Sequence, residues 1–203
     1  MEGNWAFSIM NILDRIVKLI VLNVLWILFT VLGLGIFSFM PATASVYLVI
    51  RKWMHGEELG NTFVEFWKHF KTSFVKVNLV GSIFLVIGLF LYVDVQILIG
   101  TELLVGKIML ALVMMLWIIY FATLLHFFPL FARYEMKVFD YIKLSLVMGM
   151  SNPLITLLMV LWLFVVVVLA MQYTVIIPLL FISLICLGIN WISIKRLEKK
   201  EIV

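Results

Sequence analysis

A single cysteine, Cys186, stands in a chain of 203 residues, so no internal disulfide can form and the redox compartment cannot be read from it. Charge is scarce too. Only 13% of residues are Asp, Glu, Lys or Arg against 66% hydrophobic, and a mean hydropathy of +1.23 leaves no room for a separate water-soluble domain. Residues 1–203 read as one integral membrane domain. No Gly-x-x-x-x-Gly-Lys stretch occurs, which excludes an ATPase built on that phosphate loop. Acid–base groups are few: Asp14, Glu57 with Glu58, and Glu65 with His69 all fall in segments expected at the membrane surface, where charge needs no catalytic explanation. Glu65 and His69, at i and i+4, are too few ligands for a metal. We therefore expect no enzymatic activity, no cofactor and no metal.

The basic residues carry the architecture. Fourteen of the 15 Lys and Arg fall into four clusters: Arg15 and Lys18; Arg51, Lys52, Lys68, Lys71 and Lys76; Arg133, Lys137 and Lys143; and Lys195, Arg196, Lys199 and Lys200. Uncharged runs of 32, 25 and 51 residues separate Lys18 from Arg51, Lys107 from Arg133, and Lys143 from Lys195. A crossing takes about 20 apolar residues, so the longest run holds two and the 25-residue run one. The stretch after Lys76 holds one more. As one helix the 32-residue run would reach about 48 Å, well past a hydrocarbon core of about 30 Å. It should break at Gly33-Leu34-Gly35, with Ser38 following and Pro41 suited to the first turn of a second helix.

The expected fold is all-α, a polytopic bundle with six spans at about 14–36, 39–55, 77–99, 108–131, 152–171 and 174–194. Every basic cluster then lies on one face, which the positive-inside bias marks as cytoplasmic, together with both termini. The net charge of +4 suits an anionic inner leaflet; no basic arm points to nucleic acid. Ala42-Thr43-Ala44 has the form of a signal cleavage site, but the preceding apolar run is too long for a signal peptide, and an uncleaved first span is expected.

Two segments read as amphipathic helices on the membrane surface. Residues 61–76 place Phe63, Phe66, Trp67, Phe70 and Phe74 on one helical face, with Val77 just beyond, while Glu65, Lys68, His69, Lys71, Thr72 and Lys76 take the other. Thr62 and Glu65 suggest a capping-box start. Such a helix suits the headgroup region, or docking to a partner protein. Residues 1–13 repeat the idea with Trp5, Ile9, Ile12 and Leu13 in a stripe that continues to Ile16, and 134–146 do so weakly. Within the spans, Asn23, Ser45, His126 and Asn190 share a depth on four helices, as interhelical hydrogen bonding or a pathway for a small solute or proton would require. Asp94 falls near the outer interface.

The run from Gly33 to Tyr47, Gly-Leu-Gly-Ile-Phe-Ser-Phe-Met-Pro-Ala-Thr-Ala-Ser-Val-Tyr, resembles the YesL-like family of bacterial membrane proteins. So do Arg51-Lys52-Trp53, Gly56-Glu57-Glu58, Phe66-Trp67 with Lys71, and the later Phe128-Pro129-Leu130-Phe131-Ala132-Arg133-Tyr134. The likeness covers nearly the whole chain. It implies a protein of the bacterial cell membrane without assigned biochemistry, linked to carbohydrate uptake by ABC permeases. The expected function is that of a membrane accessory protein, a non-catalytic subunit or partner of a carbohydrate ABC permease; the alternative is a small independent transporter.

Overall fold

The structure is a computed structural model that describes residues 3–57 and 60–201, with side chains at residue 10, 12–57 and 60–193. Among the described residues eight helices follow in order: α1 (Gly3–Leu32), α2 (Ile36–Met54), α3 (Thr62–Leu98), α4 (Leu104–Arg133), α5 (Val138–Ser151), α6 (Pro153–Gln172), α7 (Ile176–Leu179) and α8 (Phe181–Glu201). No strand occurs among the described residues, and the fold is all-α.

The break between α1 and α2 is built by glycine. Leu34 and Gly35 take positive φ of 62° and 73°, and a Cβ on Gly33 would lie 2.5 Å from Ser38 Cβ, so only Gly fits at that position. Pro41 lies inside α2, six residues in, where a first-turn place was expected. Its missing N–H frees the Phe37 carbonyl, and Asn78 Nδ2 of α3 donates to that oxygen at 2.9 Å. The proline thus ties α2 to α3 instead of starting a helix.

The turn sends α2 back antiparallel to α1: the Arg15 guanidinium lies 5.8 Å from the Trp53 ring at one end, and Trp26 Nε1 donates to Thr43 Oγ1 at 3.0 Å nearer the other. α2 is the central element, packed against α1, α3, α4 and α8. Its Ala42, Ala44, Ser45, Val46, Val49 and Ile50 are fully buried. Small side chains let several helix backbones approach at once, the usual basis of packing where lipid removes the hydrophobic drive.

Two expected surface helices are not separate elements. Residues 61–76 and the following span form one 37-residue helix, α3, because Lys76-Val77 changes polarity without breaking the backbone. The start also differs: Asn61 is the cap, its side chain accepting from Phe63 N at 2.9 Å, and Thr62 is already helical. Glu65 pairs with Lys52 instead of closing a capping box. The N-terminal amphipathic stretch is likewise continuous with α1; its Ile12, Leu13 and Ile16 are exposed, while Trp5 and Ile9 lie outside the described side chains.

By length and composition four helices among the described residues can cross a membrane: Ile12–Leu32, Thr62–Leu98, Leu104–Arg133 and Pro153–Gln172. The expected span at 174–194 is divided into α7 and α8 around Leu180 at φ −139°, leaving a shorter apolar helix, Phe181–Ser193. α2 has 19 residues and ends on Arg51 and Lys52. α4 and α6 expose Leu112, Met115, Ile118, Leu157, Leu161 and Phe164. Water-soluble monomers do not show an apolar surface of that extent, whereas a multi-pass membrane protein does.

Candidate functional site

The four polar groups expected to share an interior layer have separate partners. Asn23, fully buried, clasps the α7–α8 junction: Nδ2 donates to the carbonyls of Pro178 at 2.7 Å and Ile177 at 3.3 Å, and Oδ1 accepts from Ile182 N at 2.9 Å and Ser183 N at 3.4 Å. These are the orphan groups left where the chain turns and α8 begins. His126 Nε2 meets Thr156 Oγ1 at 3.0 Å, linking α4 to α6. Asn190 Nδ2 donates to Tyr47 O at 3.4 Å, linking α8 to α2. Ser45 returns its hydroxyl to Pro41 O of its own helix at 2.7 Å.

The aromatic face of α3 is largely turned inward. Phe29 of α1 sits among Phe63, Phe66, Trp67 and Phe70, with ring centroids 5.1 to 6.3 Å away, and Phe74 continues the stack from Phe70 at 5.6 Å. Phe66 and Phe70 are buried, while Phe63 and Trp67 remain partly exposed. Opposite them Lys68 and Lys71 are exposed, and Lys71 Nζ lies 4.3 Å from the Trp67 ring centroid.

Titratable groups converge where the last turn of α2, the first turns of α3, the end of α4 and the start of α5 meet. A cavity of about 280 Å³ opens there, lined in part by Arg51, His69, Ser73, Lys76, Arg133 and Tyr141, with Glu135 on the same wall. Arg51 reaches it because its guanidinium donates to Ala132 O, one of the carbonyls that the end of α4 leaves without a helical donor. Arg133 stands in the last turn of α4, after Pro129 and the buried Phe127, Phe128 and Phe131. Tyr141, almost fully buried, shapes the floor: its hydroxyl donates to Tyr134 O and accepts from Met136 N, pinning the α4–α5 loop. Lys76 Nζ stands 5.4 Å from the Tyr141 ring.

Arg51, Lys76, Arg133 and the carboxylate of Glu135 thus line one cavity, and Glu65 and Glu57 act on His69 beside it. His69, below the apolar stretch of α3, is pushed under its ordinary pKa by burial and then by Lys52, so it is a neutral imidazole at neutral pH. The hydrogen bond from Lys52, at 2.7 Å, holds the Glu65 carboxyl below the usual carboxylate range, so Glu65 is engaged outside the cavity. Arg51 Nε is buried without a hydrogen-bond partner, and His69 Nε2, beyond hydrogen-bond distance of any acceptor, stands 3.6 Å from Glu65 Oε2. Among the described residues no group of three or more His, Cys, Asp or Glu could hold a metal.

Sequence reasoning singled out Arg51 and Arg133 as motif residues but did not join them, and it missed Ser73, Glu135 and Tyr141. His69, Ser73 and Lys76 follow at i, i+4 and i+7 on α3, a stripe within the face assigned wholly to solvent. A larger groove of about 590 Å³ is lined by Arg15, Trp53, Trp162 and Trp191; tryptophan beside arginine is the composition of a membrane–water interface.

Residues 19–95, from α1 nearly to the end of α3, match the family described as "Protein of unknown function, DUF624". The uncharacterized protein YteU of Bacillus subtilis (strain 168) is 44% identical over 66 residues, 32% of this chain and 30% of that relative. From the same organism, the uncharacterized protein YesV is 29% identical over 70% of this chain and 69% of its own length. The uncharacterized protein YesL is 29% identical over 71% of this chain and 68% of its own. No solved structure matches.

Proposed function

Taking as premise that the chain is YesL-like, we propose that it is a non-catalytic accessory protein of the bacterial cell membrane that works by binding a carbohydrate ABC permease. In this reading all six helical stretches cross, the basic end faces the cytoplasm with both termini, and Lys and Arg there meet anionic lipid. The permease as partner comes from the family resemblance.

The observation that carries the accessory role is how the interior polar groups are used. Asn23, His126 and Asn190 are spent on their own bundle's backbone and side chains, as glue between helices is. A porter coupled to an ion gradient needs intramembrane charge held for its cargo. Purification of the tagged full chain from its native membrane in mild detergent tests the reading. Permease subunits identified by mass spectrometry in stoichiometric amounts are the expected result. A chain recovered alone, both with and without prior crosslinking, overturns it.

A further inference from the structure

We propose that the groove between α1, α2, α6 and α8 holds one anionic phospholipid, with its phosphate on Arg15 and an acyl chain along Trp162. This goes beyond the accessory role and does not depend on it. It also differs from the general attraction of Lys and Arg to an anionic leaflet, because it assigns a single saturable site.

The first support is the order of chemistry along the groove. One end is formed by Arg15 of α1 and by Trp53 in the last turn of α2. The Arg15 guanidinium lies 5.8 Å from the Trp53 ring, a contact that steadies the side chain while its N–H fork, the geometry that suits phosphate, still lacks a strong acceptor. The neighbouring Asp14 is engaged by Lys18 at 2.6 Å, and residues adjacent in a helix do not face each other. The other end is apolar. Trp162 is the tenth residue of α6, about 14 Å along the helix axis from Pro153, and it lies against Gly188 of α8. A charged mouth above an apolar trough has the polarity of a phospholipid standing in its leaflet, and Trp53 and Trp191 mark the boundary between the two.

The second support is size and rigidity. The groove measures about 590 Å³, within the usual range of small-molecule sites. A helix about 10 Å across fills about 400 Å³ in one turn of about 5.4 Å, so the space holds little more than a turn of a docked helix. A slender acyl chain fits it. Water gains little in an apolar trough, and an unfilled one forfeits dispersion contacts along its walls. The wall is also preformed. Trp162 Nε1 donates to Leu184 O at 3.0 Å, and a Cβ on Gly188 would lie 2.0 Å from that nitrogen, so the indole rests directly on the α8 backbone. Binding then orders the lipid and little of the protein.

The test uses the purified full chain in uncharged detergent. It is titrated with phosphatidylglycerol and, separately, with phosphatidylcholine of the same acyl chains, and bound lipid is counted by native mass spectrometry. The expected result is one phosphatidylglycerol adduct that saturates well before any phosphatidylcholine adduct. Arg15→Gln should weaken phosphatidylglycerol binding about tenfold or more, the worth of one charged hydrogen bond, and abolish the preference. Ile192→Phe enlarges a side chain lining the groove and leaves Arg15 in place, so it should weaken both lipids; it also serves if Arg15→Gln folds poorly. Lys107→Gln, in the first turn of α4, should leave binding unchanged. Absence of a saturable adduct, or phosphatidylglycerol binding that neither Arg15→Gln nor Ile192→Phe alters, overturns the site. A dimer that Ile192→Phe dissociates would place a second copy in the groove and overturn it as well.

Discussion

Replacing Asn23 by Leu should be the most costly of the single substitutions at the interior polar positions. The side chain makes two strong bonds, at 2.7 Å to Pro178 O and 2.9 Å from Ile182 N, and two long ones at 3.3 and 3.4 Å. Leucine matches its size but leaves carbonyls and amides of the α7–α8 junction unpaired in a fully buried place. Hydrogen bonds inside membranes average about 0.6 kcal/mol with a ceiling near 1.7. Two strong bonds then give about 1–3 kcal/mol, or several degrees in melting temperature at roughly 2–4 °C per kcal/mol for a chain of this size. His126→Leu breaks one bond, to Thr156, and should cost about half as much or less. Fluorescence-detected size-exclusion after graded heating in detergent measures both. Equal melting of the two variants, or an unchanged Asn23→Leu, would refute the clasp. Wild-type melting of His126→Leu with lost biological activity would make His126 a working proton or ligand group, since its unperturbed pKa lies near physiological pH.

Gly33→Ala should lower folded yield and stability by about 1–3 kcal/mol, the range for forced overpacking, because its Cβ would lie 2.5 Å from Ser38 Cβ. Pairing it with Ser38→Gly should restore most of the loss, and no restoration would mean the clash is not the cause. In intact cells, Cys at Glu102 and Gln172 should react with an impermeant thiol reagent while Cys at Gly56 should not; native Cys186 is buried and adds little background. Outside labelling of position 56 would overturn six crossings.

The helical breaks divide into those written in local chemistry and those that are not. At Gly33-Leu34-Gly35 the interruption was legible from the two glycines, of which Gly35 takes a positive φ that only glycine adopts freely. Pro41 looked like part of the same signal, but its consequence depends on Asn78, 37 residues away, accepting the role of donor to the carbonyl the proline frees. The division of 174–194 around Leu180 had Pro178 as its local hint, and what stabilises it is Asn23 on α1. The amphipathic pattern at 61–76 was legible as a helix with two faces. Whether its aromatic side meets lipid or protein was not, since periodicity reports a face and says nothing of what covers it.

The all-helical fold with apolar stretches long enough to cross a membrane was legible without coordinates, because runs of apolar residues between basic clusters have few other stable solutions once backbone groups must be satisfied within each segment. The periodicity of 61–76 likewise placed His69 and Lys76 on one helical face, away from the phenylalanines. The placement of α2 at the centre, the packing of the α3 phenylalanines onto Phe29, and the meeting of Arg51, Lys76 and Arg133 at one cavity emerge from the folded bundle alone. The physical reason is range: a helix forms from neighbours in sequence, whereas which helices adjoin is set by the packing of small side chains and the capping of freed backbone groups, and both lie between residues far apart in the chain.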